Sequence, residues 1–171
     1  MMEADAVACS RAILLHLQSW FAAHPDWKRV ATFFPLPGEP DLTALHRVLA
    51  DRLWAYPRIN GSEMTFHSIV DPTQELVKGR WNLHEPHSAS LLVPRNEIDV
   101  MLCPGVAFDI KGRRLGKGKG FYDRYLSADH THRPYLIGVT FASHLLENIP
   151  AEPHDIAMDG IVTEHGLTPL G

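Results

Sequence analysis

At 171 residues, 45% of them hydrophobic, the chain can bury a sizeable core and is short enough to form a single domain. A formal net charge of -4 excludes the broadly basic surface of a general nucleic-acid binder. Two cysteines, Cys9 and Cys103, are too few and too far apart for a disulfide scaffold or a zinc knuckle, and no apolar run approaches membrane-spanning length. A reduced, cytoplasmic setting is expected, with no nucleic-acid or membrane partner.

Residues 3–23 read as an amphipathic helix carrying Ile13, Leu14, Leu17 and Phe21 on one face. A strand is expected over residues 29–34, where Val30, Phe33 and Phe34 favour extended backbone. The loop Pro35-Leu-Pro-Gly-Glu-Pro40 follows, and Asp41 is placed to cap a helix carrying Leu42, Leu45, Leu49 and Leu53. Residues 55–59 and 64–70 flank Asn60-Gly61 and read as strand, turn, strand. Asp71-Pro72 opens a short helix that Gly79 could end, before a His- and Pro-rich loop over residues 80–90. Strands are expected at 98–103, 135–141 and 160–163, and helical segments at 120–127 and 143–148. This alternation predicts one α/β domain over 1–171, with a largely parallel or mixed open sheet covered by helices on both faces.

Residues 109–126 hold four glycines, six basic residues and two aspartates, a local excess of positive charge in an acidic chain. Gly116, Gly118 and Gly120 alternate with Lys117 and Lys119 between a strand and a helix. Glycine permits close backbone approach to an anion, and lysine adds point charges. The spacing is neither a Walker A loop nor the dinucleotide fingerprint. Two uses stay open: a phosphate cradle, or a flexible surface loop.

The acids divide similarly. Asp123 could interact with the start of the following helix or hold Mg²⁺ beside phosphates. Asp155 and Asp159 read as solvated loop acids, and His154 as a surface residue. Glu39 stands after the first strand, where α/β sheets carry ligand contacts, but a turn carboxylate fits as well. Phe34 and Trp81 could stack on a flat heterocycle or fill the core. His84 and His87 form a pair without an evident third metal ligand, and Cys103 reads as packed.

Together these pieces resemble the 5-formyltetrahydrofolate cyclo-ligase family. The specific match is Pro104-Gly-Val-Ala-Phe-Asp109 followed by Gly112-Arg-Arg-Leu-Gly-Lys-Gly-Lys-Gly-Phe-Tyr-Asp123. Phe121 stands where the family usually has Tyr. Matches continue around Glu39, over Trp81 to Pro86, and over Leu146 to Glu164, so the resemblance covers nearly the whole chain. It implies an ATP- and Mg²⁺-dependent ring closure of 5-formyltetrahydrofolate to 5,10-methenyltetrahydrofolate, with ADP and phosphate released; separately, a monomer is expected. It implies ATP contacts from Arg114, Leu115, Gly116, Lys117, Gly118, Lys119, Gly120, Phe121 and Tyr122. Arg114, Lys117 and Lys119 are implied to neutralise transferring charge. Phe34, Glu39, Trp81 and the stretch Lys117, Gly118, Lys119, Gly120, Phe121 are implied at the folate, and Asp123 and Asp155 at Mg²⁺.

One departure is expected to matter. The family's first helix usually opens with a Lys-x-x-x-Arg-type basic segment, whereas the first basic residue here is Arg11. Either the start was misassigned or the protein is a short form with weakened ATP use. A catalytically impaired nucleotide- or folate-binding module is therefore the runner-up. A protein handling sugar phosphates or coenzyme A comes third.

Overall fold

The computed structural model describes residues 1–128 and 131–171. In chain order the first half runs α1 (Glu3–Ala22), β1 (Arg29–Ala31), α2 (Leu45–Val48), β2 (Leu53–Asn60), β3 (Glu63–Ile69), α3 (Pro72–Glu75), β4 (Leu76–Lys78), β5 (His84–Pro86) and β6 (Leu92–Val93). The second half runs β7 (Val100–Cys103), β8 (Ala107–Asp109), β9 (Arg114–Leu115), α4 (Phe121–Ser127), β10 (Tyr135–Val139), β11 (Leu145–Leu146), β12 (Gly160–Thr163) and β13 (Gly166–Pro169).

Eight strands form one mixed sheet in the order β13-β12-β10-β7-β1-β2-β3-β6. From β12 to β2 every neighbour is parallel, while β13, β3 and β6 each pair antiparallel with their neighbours. The centre of the sheet is apolar on both sides, as a covered parallel sheet requires. In β7, Val100 and Leu102 face the side covered by Ile13, Leu17 and Phe21 of α1. Met101 and Cys103 face the other side, with Leu126 of α4 and Phe108. The expected α/β domain with helices on both faces is the observed one.

Several elements differ from the sequence reading, each for a local reason. The strand β1 ends at Ala31; the Thr32 N–H still bonds to Ala55 O at 2.9 Å, and Pro35 beyond has no N–H with which to extend the ladder. Asp41 accepts from the Thr43 N–H at 2.9 Å in a turn ahead of the helix and does not cap it: α2 spans only four residues, with Ala44 at its N-cap. Leu53 leaves the helical pattern because its N–H bonds to Lys28 O at 2.8 Å, which starts β2 in the sheet. The loop over 80–90 contains β5, which pairs with β4 as a separate flap. Residues 143–148 form one 3-10 turn and the short strand β11 instead of a helix.

A buried carboxylate joins the second half. Asp109 is fully buried at the end of β8 and accepts from the N–H groups of Lys111 (2.9 Å), Arg113 (3.0 Å) and Ile149 (2.9 Å). Burial by itself would raise its pKa, but these backbone donors and the Arg113 guanidinium outweigh it and the net shift is downward. Gly112 completes the turn at φ +84, where an added Cβ would lie 2.7 Å from Met158 O. Asp109→Ala orphans three donors and should cost about 3 kcal/mol in urea unfolding. Because the folded pKa is depressed, this contribution is present above the unfolded value near ~4 and is lost as pH falls through the folded one. The stability gap between parent and variant should therefore narrow in strong acid, and a gap independent of pH would contradict this role.

Candidate active site

The order of strands reverses at β1. From there the chain builds outward through β2 and β3 on one side, then returns through β7, β10 and β12 on the other. In open α/β sheets the crevice at such a reversal, beyond the carboxyl ends of the strands, takes ligands. A cavity of about 680 Å³ lies there. Phe33, Phe34 and Glu39, which follow β1, and Pro104 and Gly105, which follow β7, line it. Every residue the sequence singled out for a site also lines it: Phe34, Glu39, Trp81, Arg114, Leu115, Gly116, Lys117, Gly118, Lys119, Gly120, Phe121, Tyr122, Asp123 and Asp155. Arg11 is exposed on α1 and does not.

The glycine-rich loop leaves β9 and ends at α4. Gly118 (φ +87) and Gly120 (φ +69) hold left-handed backbone that residues with a Cβ disfavour. Arg114 stays at the base, donating to Pro104 O at 3.0 Å with its guanidinium 4.9 Å from the Tyr122 ring. The ammonium groups of Lys117 and Lys119 belong to exposed side chains at the cleft.

Glu39 is the largely buried acid opposite this loop. Its Oε1 lies 3.7 Å from Lys117 Nζ, and its buried Oε2 has no hydrogen-bond partner. Burial pushes its pKa above the usual carboxylate value, although Lys117 and Arg114 pull against that shift. An unpartnered buried oxygen is costly unless a donor arrives, so this one is poised for a donor on a ligand. Beside it, the ring of Phe34 stacks on His84 at 4.4 Å and 31°. Pro57, Ile59 and Met64 of the β2–β3 hairpin add an apolar wall. The cleft thus has an apolar, acidic end and a cationic end.

Trp81 sits in the turn of the β4–β5 flap with φ +56, followed by Asn82 at φ +60. Two consecutive left-handed residues outside glycine are unfavourable by roughly 1–2 kcal/mol each. They bring a half-exposed indole over the cleft, 4.9 Å from Lys119 Nζ and 6.1 Å from the Phe121 ring. On the far rim, Asp155 Oδ2 accepts from the Glu152 N–H at 2.7 Å, and His154 lies 3.4 Å from Glu152. Asp155 also lines the cleft. Asp159 is a structural acid, accepting from the Leu136 N–H (2.8 Å) and from Arg133 (2.7 Å), which corrects its reading as a solvated loop residue.

The structure adds residues the sequence reading did not place in the site. His84, considered only as half of a metal pair, is a stacking partner of Phe34, and Glu85 lines the same wall. Their only sequence signal was membership of the matched stretch Trp81 to Pro86. The expectation that Cys103 is packed holds: it is fully buried, and burial pushes its thiol up to about 12.

A switch-point cleft in an α/β sheet, lined by a cationic glycine loop and a largely buried acid, is the setting of a small-ligand enzyme. The chain belongs to the 5-formyltetrahydrofolate cyclo-ligase family, whose model matches residues 1–164. A relative from Escherichia coli named 5-formyltetrahydrofolate cyclo-ligase is 34% identical over 143 residues, spanning 78% of this chain and 76% of that one. The solved 5,10-methenyltetrahydrofolate synthetase of Aquifex aeolicus superposes with a TM-score of 0.86 at 32% identity, covering 99% of this chain and 85% of its own. A Mycoplasma pneumoniae synthetase shares the fold at TM-score 0.78 and 23% identity, covering 96% and 90%.

The Glu39–Lys117 pair can be tested without any ligand. Removing the ammonium in Lys117→Met should move the Glu39 carboxyl titration, followed by carbon-13 NMR, to still higher pH. An unmoved midpoint would show that the pair is not formed in solution.

Proposed function

We propose that the protein closes 5-formyltetrahydrofolate to 5,10-methenyltetrahydrofolate, converting ATP to ADP and phosphate. The observation that carries this reading is the convergence of Glu39, Phe34, Trp81 and the cationic glycine loop on one cleft with two chemically distinct ends. The apolar end suits a flat heterocycle whose N–H groups donate to the unpartnered Glu39 oxygen. The loop suits the phosphates, through glycine N–H groups and the charges of Arg114, Lys117 and Lys119. In the proposed reaction the formyl oxygen attacks the γ-phosphorus, and the bond to ADP breaks. Nitrogen 10 then bonds to the activated carbon, loses its proton, and the former formyl oxygen leaves as part of inorganic phosphate. Phosphorylation turns a poor leaving oxygen into a good one. The protein's task is to hold two substrates in line and neutralise the moving charge.

Mg²⁺ fits the same reading. Asp123 and Asp155 both line the cleft, and no cluster of three or more metal-ligating side chains exists among the described residues. Two carboxylates completed by phosphate oxygens and water are the donor set Mg²⁺ accepts, and the bound ion would supply charge neutralisation at the phosphates. The proposed working unit is a monomer.

Formation of methenyltetrahydrofolate from 5-formyltetrahydrofolate, with and without ATP and Mg²⁺, tests the proposal. Product that requires both supports it. Nucleotide and folate binding without product would point instead to a binding module. Lys119→Ala and Asp123→Ala should each lower kcat/KM by about 10²-fold or more while leaving the fold intact, since they act on charge in transfer. Glu39→Ala should weaken folate binding by about tenfold or more, the scale of one lost charged hydrogen bond, with ATP binding nearly unchanged. Equal losses for both substrates would remove Glu39 from the folate end.

A further inference from the structure

The glycine-rich loop has very little holding it. Among the described residues, one hydrogen bond reaches the backbone between Gly116 and Lys119, and it comes from Arg124. Arg124 does not line the cleft. Its Nη1 donates to Lys119 O at 2.8 Å, its Nη2 donates to Ser62 O at 2.8 Å, and its guanidinium lies 5.2 Å from the Phe121 ring. Ser62 belongs to the turn of the β2–β3 hairpin, whose seven register pairs make it a rigid support. One planar group therefore spans two carbonyls, one on the loop and one on the scaffold, which a lysine ammonium on a flexible stem does not reproduce. The path to Lys119 O passes beside Gly120, where an added Cβ would stand 2.9 Å from Arg124 Nη1. Gly120 is thus needed twice, for its φ of +69 and for the room it leaves the guanidinium.

We infer that Arg124 is the positioning residue of the glycine-rich loop, clamping Lys119 O to the β2–β3 turn so that the loop's amides and ammonium groups are set before ligand arrives. The consequence for catalysis rests on the cyclo-ligase reading above; the clamp itself does not. A preset loop contributes because donors held in place do not have to be ordered during binding or reaction. Freed, the loop still carries its charges, so binding is weakened but not abolished, and the loss falls on the nucleotide more than on the folate.

Three measurements on Arg124→Gln and Arg124→Lys, and a chemical rescue of Arg124→Ala, test this. The first is limited trypsin digestion with the fragments identified by mass. Both variants should be cut after Lys117 and Lys119 about tenfold faster than the parent, with unfolding midpoints nearly unchanged, as expected for local release without global unfolding. The second is binding of a non-hydrolysable ATP analogue, expected to weaken by about tenfold. The third is steady-state turnover, in which KM for ATP should rise while KM for the folate stays nearly constant. Millimolar guanidinium should partly restore turnover to Arg124→Ala. Unchanged cleavage and binding in Arg124→Gln overturns the inference, as does full recovery by Arg124→Lys, which would make the role one of charge. Failure of the parent to turn over or to bind nucleotide sinks the cyclo-ligase reading and is decided on the parent alone, while the cleavage comparison still decides the clamp.

Discussion

The second half of the molecule depends on where the Asp109 carboxylate is buried. Its two oxygens gather N–H groups from the β8–β9 turn and from Ile149, 40 positions away in sequence. Those segments are the roots of two walls of the cleft. The turn leads through Arg114 into the glycine-rich loop, and Ile149 leads through Pro150 to Asp155. Arg113 repeats the connection, donating to Asn148 Oδ1 at 2.8 Å and to Ile149 O at 3.1 Å. A buried carboxylate is tolerable only when its lone pairs are occupied by fixed donors. Here the requirement works in both directions. The donors keep the charge buried, and the charge keeps two otherwise independent loops in register across the cleft.

Against that rigid base, the parts that meet a ligand are held lightly. The flap carries Trp81 in left-handed backbone, with cations of Lys119 and Arg80 near its ring at 4.9 and 5.3 Å. The loop's lysines are exposed, and Lys117 rests against Glu39 at a distance longer than a good charged hydrogen bond. Elements that must admit, enclose and release a ligand come from the weakly protected end of a structure's stability range. The sheet and Asp109 supply the other end. What joins the two regimes is a small number of side chain to backbone contacts, which a substitution can sever without touching the core.

Much of the architecture was legible before the structure. The helix α1 announced itself by spacing, since Ile13, Leu17 and Phe21 are all fully buried on one side. The hairpin was marked by Asn60-Gly61, and Gly61 indeed has φ +64. The strands β7 and β12 were short apolar runs buried on both faces. What escaped was two- to three-residue structure whose pairing partner is remote in sequence, such as β8 with β11. Propensity over so few residues carries almost no signal. The site residues came from a matched motif, and the motif included Asp109 without revealing its task. The clamp formed by Arg124 was invisible for a similar reason, because one of its two acceptors is 62 positions away.

The electrostatics of the cleft follow from placing one acid where the sheet can bury it and many cations where water can reach them. Exposed lysines lose little on standing alone, because solvent screens them. Glu39 is different: burial disfavours its charge, Lys117 only partly offsets that, and one of its oxygens is left without a donor. An incoming heterocycle with N–H groups would satisfy that oxygen while Lys117 stays at the other one. The same ammonium lies on the loop assigned here to phosphate. Lys117 therefore links the acid to the loop at one oxygen and leaves the other for a ligand.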